Sequence, residues 1–142
     1  MNVKVDPRGP RFGAAITTTV LAVILLTSPS TLSTSLLVIQ TVVFGLGAFA
    51  GLQFHPYGLI YRKFIRPRLS APIELEDSAP LRFAQLVGFV FALVGLFATL
   101  TGASSVALIA VGFALGAAFL NAAFAICLGC EMYLLGKRII SR

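Results

Sequence analysis

The sequence predicts an all-α membrane protein in which four transmembrane helices form two hairpins. Of its 142 residues, 58% are hydrophobic and only 11% are charged, and the mean hydropathy is +0.96. A soluble domain carries about a quarter charged residues. The apolar residues come in blocks of roughly 20, the length of a membrane-crossing helix, and lack the alternation of barrel strands. A chain of this length is predicted to form a single domain.

The predicted spans are 12–28, 32–54, 81–101 and 105–135. The second and third have the length of one crossing, the first is slightly short, and the fourth is several residues too long. An alternative for the first block is a cleaved signal peptide, but no small-x-small cleavage site precedes Pro29. The orientation of the other spans is the same in either case.

Basic residues lie at one end of all four predicted spans. They precede the first span, occupy the loop 55–80 between the second and third, and follow the fourth, whereas the turns at Pro29 and Gly102 carry no charge. The positive-inside rule therefore places both termini and this loop in the cytoplasm, as expected for a bacterial inner-membrane protein. The net charge of +6 predicts anionic headgroups as a partner. Nucleic acid is not predicted, because no aromatic residues interleave with the basic ones.

The cytoplasmic loop is predicted to begin with a short amphipathic helix on the inner membrane surface. Tyr57, Ile60, Tyr61 and Phe64 have helical spacing, and basic residues lie on the other side of the helix. The predicted headgroup-binding residues are Arg62, Lys63, Arg66 and Arg68.

Glycine pairs in the second and fourth spans predict close helix packing. Gly47 and Gly51 are four residues apart, as are Gly112 and Gly116, and such pairs let helix backbones approach each other in lipid. The same surfaces would serve packing within one chain or between copies in a homo-oligomer. The sequence does not distinguish these two arrangements.

Few polar groups lie inside the predicted spans. Gln40 and Asn121 are the deepest polar side chains, and uncharged amides at such positions are expected to hydrogen-bond between helices. Charged residues occur only near the edges of the spans, as Arg82 and Glu131 do, and none lies deep enough to couple transport to protons or ions. Active transport is therefore disfavoured, and a passive small-solute pore ranks last among the candidate functions.

Each predicted hairpin begins with a similar sequence motif, which is Pro10-Arg11-Phe12 in the first and Pro80-Leu81-Arg82-Phe83 in the second. One interpretation is a duplicated hairpin. The other is that proline, arginine and an aromatic residue independently make a good membrane anchor, because they supply a turn, a headgroup contact and an interfacial ring.

Cys127 and Cys130 are the only cysteines and lie at the cytoplasmic end of the fourth predicted span. Glu131 and the only histidine, His55, are predicted at a similar depth. In a continuous helix Cys127 faces both Cys130 and Glu131, and the cysteine spacing permits a disulfide. The carboxyl end of a helix and a nearby Glu131 both disfavour a thiolate, unless basic residues compensate or the helix breaks at Gly129.

Three interpretations remain open for this pair. The first is a thiol redox or sulfur-relay site in which Glu131 takes part and His55 tunes protonation. The second is a scaffolding protein in which the cysteines only pack as small hydrophobic residues. The third is a metal site formed by Cys127, Cys130, His55 and Glu131, which requires convergence from two helices. A structural disulfide is disfavoured in a reducing cytoplasm.

Common enzyme motifs do not occur in the chain. It has no P-loop, no dinucleotide-binding fingerprint and no hydrolase elbow, so no cofactor is predicted. If the chain is an enzyme, the expected activity is that of a thiol–disulfide or sulfur-transfer accessory.

Several phrases carry a family resemblance: Asp6-Pro7-Arg8-Gly9-Pro10-Arg11-Phe12, Arg66-Pro67-Arg68, Glu74-x-Glu76-Asp77, Pro80-x-Arg82-Phe83-Ala84-Gln85, and Asn121-Ala122 followed by Cys127-Leu128-Gly129-Cys130-Glu131-x-Tyr133. In these the chain resembles a bacterial membrane family known as domain of unknown function DUF4395, over nearly its whole length. The resemblance implies a four-helix membrane domain with a CxxC near its end. It also implies a cytosolic thioredoxin-like or rhodanese-like partner, since such proteins are often encoded nearby. The family has no established activity.

Overall fold

The computed structural model describes residues 4–5, 8–28, 30–50, 56–68, 76–124 and 128–140, and most of these residues are helical. The helices are α1 (Arg8–Thr27), α2 (Thr31–Gly45), α3 (Pro56–Ile60), α4 (Ser78–Thr101), α5 (Ser104–Phe124) and α6 (Leu128–Ile140). A π-helical turn, Leu46–Ala50, extends α2, and Tyr61–Ile65 and Arg66–Arg68 extend α3 as a π-helical and a 3-10 turn. The two-residue strands β1 (Lys4–Val5) and β2 (Glu76–Asp77) pair antiparallel.

Four helices are long and apolar enough to cross a membrane, and the predicted all-α fold class is confirmed. The four apolar segments are Gly9–Thr27, Thr31–Ala50, Leu81–Thr101 and Ser104–Phe124. Large apolar side chains such as Leu26, Phe97 and Phe113 are exposed on their outer surfaces. Such exposure suits helices that are surrounded by lipid, because lipid tails are as apolar as the side chains.

The four long helices form a ring in which α1 and α4 each pack against both α2 and α5. The core residues come from all four helices and are Leu21, Ile24, Leu37, Phe44, Ala92, Val111 and Ala114. Ser30 caps α2, because its hydroxyl oxygen accepts from the Ser33 N–H at 3.1 Å. Gly102 makes the turn between α4 and α5 with φ of 85°, a backbone conformation that glycine adopts readily.

Small residues bring α2 and α4 close together. The Phe44 ring lies over Gly88, where an added Cβ would stand 2.6 Å from the ring, and the Phe89 ring lies similarly over Gly45. Gly112 and Gly116 on α5 differ, since a Cβ at either position meets nothing within 4 Å. Neither glycine therefore supports packing among the residues that the structure describes.

The other predicted packing pair lies at the end of the second span. Gly47 is buried in the π-helical turn that extends α2, and Gly51 lies outside the described residues. A contact at Gly51 therefore stays a prediction.

The segment predicted as one fourth span, 105–135, consists of two helices. α5 ends at Phe124 and α6 begins at Leu128. The 21 residues of α5 are long enough alone, because they span about 31 Å at 1.5 Å per residue and the hydrocarbon core is about 30 Å thick. α6 carries Glu131, Lys137 and Arg138, which a longer span would bring toward the lipid. The bound at 135 stays a prediction, since residues 125–127 between the two helices lie outside the described residues.

Candidate functional site

Cys130 lies in the first turn of α6, half-buried, and is disulfide-bonded. The sequence contains one other cysteine, Cys127, which lies outside the described residues. Cys127 is therefore the only partner that the chain itself offers to Cys130. A disulfide between these two cysteines stays a prediction, because Cys127 is outside the described part of the chain.

The described part of α6 begins at Leu128, and Cys130 lies two residues after it. Residues 125–127, which precede Leu128, lie outside the described residues. A helix amino end presents unpaired N–H groups and about half a positive charge, and such an end favours a thiolate. A helix break near Gly129, which would place Cys130 at such an end, therefore stays a prediction.

An aromatic contact holds α6 against α4. The rings of Tyr133 and Phe83 have centroids 5.8 Å apart and planes tilted by 54°. Tyr133 follows Cys130 by three residues, so both lie on the same side of α6. Cys130 is therefore on the side that faces α4, while Glu131 is exposed.

Two arginines bind the carboxyl ends of spans at the same end of the bundle. Arg11, at the start of α1, donates to the Ala122 carbonyl in the last turn of α5 at 3.1 Å. Arg82, near the start of α4, donates to the Ala48 carbonyl at 3.1 Å. The last carbonyls of a helix lack partners and carry partial negative charge, so a guanidinium stabilises them. Arg11 thereby fixes the end of α5, four residues before the start of α6.

A buried polar cluster links three helices. Gln40, in the middle of α2, is 0% exposed. Its amide nitrogen donates to the Thr17 hydroxyl on α1 at 3.5 Å, and its carbonyl accepts from the Tyr57 hydroxyl on α3 at 2.7 Å. Burial raises the pKa of Tyr57 above its ordinary value. The predicted hydrogen bonding of Gln40 is confirmed, but the sequence carried no signal for the contribution of Tyr57.

The predicted amphipathic helix in the loop corresponds to 56–68, and its apolar positions face two directions. Tyr61 is 3% exposed, and its ring lies 5.8 Å from that of Phe12 on α1. Ile60 and Phe64 are exposed instead. The predicted headgroup residues Arg62, Lys63 and Arg68 are exposed, and the side chain of Arg66 lies outside the described part.

The metal alternative stays a prediction. His55 and Cys127, two of its four residues, lie outside the described residues. Among the residues that the structure describes, no group of three His, Cys, Asp or Glu side chains is placed to hold a metal ion. The tuning role predicted for His55 is likewise outside the described part of the chain.

The four apolar helices and their common bundle are compatible with the class of multi-pass helical membrane proteins. The chain matches the family described as Domain of unknown function (DUF4395) over residues 5–138, and it belongs to that family. No curated protein and no solved structure matches the chain.

Proposed function

We propose that this chain is a bacterial inner-membrane protein with both termini in the cytoplasm, whose Cys127 and Cys130 exchange electrons with a cytosolic thioredoxin-like partner. The observation that carries the proposal is the disulfide at Cys130 in the first turn of α6. A thiolate is the reactive form of cysteine, and a helix amino end stabilises it. Both cysteines of the chain belong to this one segment.

The distribution of charge supports the cytoplasmic orientation. Arg11 and Arg82 begin their helices at the bundle end where α5 finishes, and Lys137 and Arg138 follow on α6. The turns at the opposite end, 28–30 and 102–103, contain no charged residue. A chain with this asymmetry inserts with its basic end inside.

The proposed exchange transfers two electrons. A thiolate of the partner dithiol attacks Cys127, forms a mixed disulfide and releases Cys130 as a thiolate that the α6 amino end stabilises. The second partner thiol loses its proton and attacks the mixed disulfide, which releases Cys127. The partner leaves as a disulfide, and its two protons pass to the two cysteines of this chain or to water. Glu131, exposed beside Cys130, is the proposed carrier of one proton.

A rhodanese-like partner uses the same thiolate differently. A cysteine thiolate of this chain takes the outer sulfur of the partner persulfide and becomes a persulfide, and the partner leaves as a thiolate. This sulfur relay requires the reduced chain.

Mass-tag alkylation in inverted and right-side-out vesicles tests the proposal. Inverted vesicles should show two tagged thiols after treatment with reduced thioredoxin and none before it, and right-side-out vesicles should show none in either case. A partner variant that lacks its second thiol should trap a mixed disulfide with Cys127 of the oxidised chain. Thiols that do not respond to oxidant and reductant, or that react only from the outer face, would refute the proposal.

A scaffolding subunit is the second candidate, and the open face at Gly112 and Gly116 on α5 favours it. Close helix association in lipid uses such faces. In this case Gly112→Leu should abolish assembly with a partner or a second copy, while the double variant Cys127→Ser, Cys130→Ser keeps its function. The thiol proposal expects the opposite result. A passive pore remains third and would show solute flux in liposomes.

A further inference from the structure

We infer that α6 is a membrane-surface helix whose apolar stripe, Met132, Leu135 and Ile139, lies among the acyl chains of the bilayer that the spans cross. Lys137 and Arg138 then lie at the level of the headgroups. This inference goes beyond the proposed thiol function and does not depend on it.

The stripe is continuous and exposed. Met132, Leu135 and Ile139 are 54%, 58% and 66% exposed, and their spacing of three and four residues places them along one line of the helix. None has a polar group that would gain from contact with water. A stripe of this kind beside charged residues is characteristic of helices that lie in a membrane interface.

The position of α6 identifies lipid as the occupant. α5 crosses the hydrocarbon core with its own 21 residues, and α6 begins four residues after Phe124. α6 therefore starts where the hydrocarbon ends. Lys137 and Arg138 are exposed in its last turn, and long basic side chains reach phosphate groups from such positions while their stems contact acyl chains.

The segment 56–68 shows the same arrangement in the other half of the molecule. Its Tyr61 packs on Phe12 as Tyr133 packs on Phe83, with ring centroids 5.8 Å apart in both pairs. It exposes Phe64 and carries exposed basic residues. One such segment follows the second helix of each hairpin, so α6 is the counterpart of a surface element that the sequence already predicts.

This placement sets the direction in which Cys130 points. At 3.6 residues per turn, Cys130 lies roughly 140° to 180° around α6 from the three stripe residues. With the stripe in lipid, Cys130 is on the side turned away from lipid, where Tyr133 contacts α4.

Tryptophan fluorescence tests the inference, because the chain contains no Trp. Leu135→Trp lies in the stripe, and Leu134→Trp is its matched control, the same substitution one residue earlier and about 100° around the helix. The full-length variants are reconstituted in phosphatidylcholine and phosphatidylglycerol vesicles whose acyl chains carry bromine. Quenching of Leu135→Trp is expected to exceed that of Leu134→Trp about threefold. Ile139→Trp should match Leu135→Trp, which guards against a folding defect in one variant.

Equal quenching of Leu134→Trp and Leu135→Trp would overturn the inference, since α6 would then be immersed or in water on all sides. A photocrosslinker at Ile139 in native membranes separates lipid from a protein occupant. Adducts to phospholipid support the inference, and an adduct to a second polypeptide overturns it.

Discussion

The two hairpins make the same contacts at the end of the bundle that carries Arg11 and Arg82. In the N-terminal hairpin, α1 and α2, Arg11 binds the end of α5; in the C-terminal hairpin, α4 and α5, Arg82 binds the end of α2. Each hairpin thus caps the second helix of the other. The Phe12–Tyr61 and Phe83–Tyr133 ring pairs repeat a second contact. This reciprocity favours a duplicated hairpin over two unrelated anchoring motifs.

The hairpins differ in the polar and sulfur-containing side chains that they contribute to the bundle. The buried polar residues of the described chain, Thr17, Ser33, Gln40 and Thr41, all belong to the N-terminal hairpin. There Gln40 also binds Tyr57 and so ties the surface segment to the bundle. The C-terminal hairpin leads instead into α6, whose first turn contains the disulfide-bonded Cys130. The N-terminal half thus contributes the buried polar groups, and the C-terminal half contributes the disulfide-bonded cysteine.

The largest effect is expected where the hairpins touch. Gly88→Val would force the Phe44 ring out of its position, since even a Cβ at residue 88 would stand 2.6 Å from that ring. Overpacking of this kind typically costs about 1–3 kcal/mol, and here it destabilises the contact between α2 and α4. Thermal unfolding in detergent measures it. Gly116→Val is the matched control in open space and should change the midpoint little. Equal losses of stability in the two variants would mean that the side of α5 at Gly116 also packs against a partner.

A smaller loss of stability is expected when the hydrogen bond between Gln40 and Tyr57 is removed from the N-terminal half. Gln40→Leu removes the acceptor of the Tyr57 hydroxyl, and Tyr57→Phe removes the donor. In a double-mutant cycle the coupling energy should be about 0.6 to 1.7 kcal/mol, the range for hydrogen bonds between membrane helices. Additive effects of the two substitutions would show that this bond does not hold α3 on the bundle.

The two arginine caps offer a direct test of equivalence. Arg11→Gln and Arg82→Gln each remove a guanidinium from the carboxyl end of a helix, and each should cost about 0.3 to 1 kcal/mol. Unfolding of both variants under the same detergent and salt conditions gives the comparison. A loss confined to one variant would break the proposed equivalence of the hairpins.

The smallest effect is a dependence on alkaline pH. Because burial raises the pKa of Tyr57 in the folded chain, folding favours the protonated hydroxyl, whose contribution is complete below the ordinary value of 10.0 and falls as pH rises above it. Thermal unfolding on either side of this value should show the decrease. Tyr57→Phe should flatten it, and an unchanged profile in that variant would assign the decrease to other groups.

Hydropathy and charge predicted the all-α fold and the number of spans, because membrane helices need long apolar runs that local sequence displays directly. This logic does not fix the end of the fourth predicted span, because Leu134 and Leu135 are as apolar as the residues of α5. Contacts such as Arg11 to Ala122 join residues far apart in the chain, and local hydropathy carries no signal for them.

The candidate site was predicted in composition but not in geometry. Both cysteines were identifiable because no others occur, but the sequence carried no signal that Tyr133, three residues after Cys130, packs against Phe83 of α4. Gln40 was expected to bind another helix and does. Its bond to Tyr57 depends on the course of the chain after Ala50, which residue spacing does not encode.

The short pairing of β1 with β2 has a consequence for how the chain tolerates change. Lys4 pairs with Asp77 and Val5 with Glu76, so the segments that lead into α1 and α4 are fastened side by side. Because this pairing holds the residues before α4 in place, a longer loop ahead of β2 is expected to cost little, about 0.6 kcal/mol for each doubling of its length.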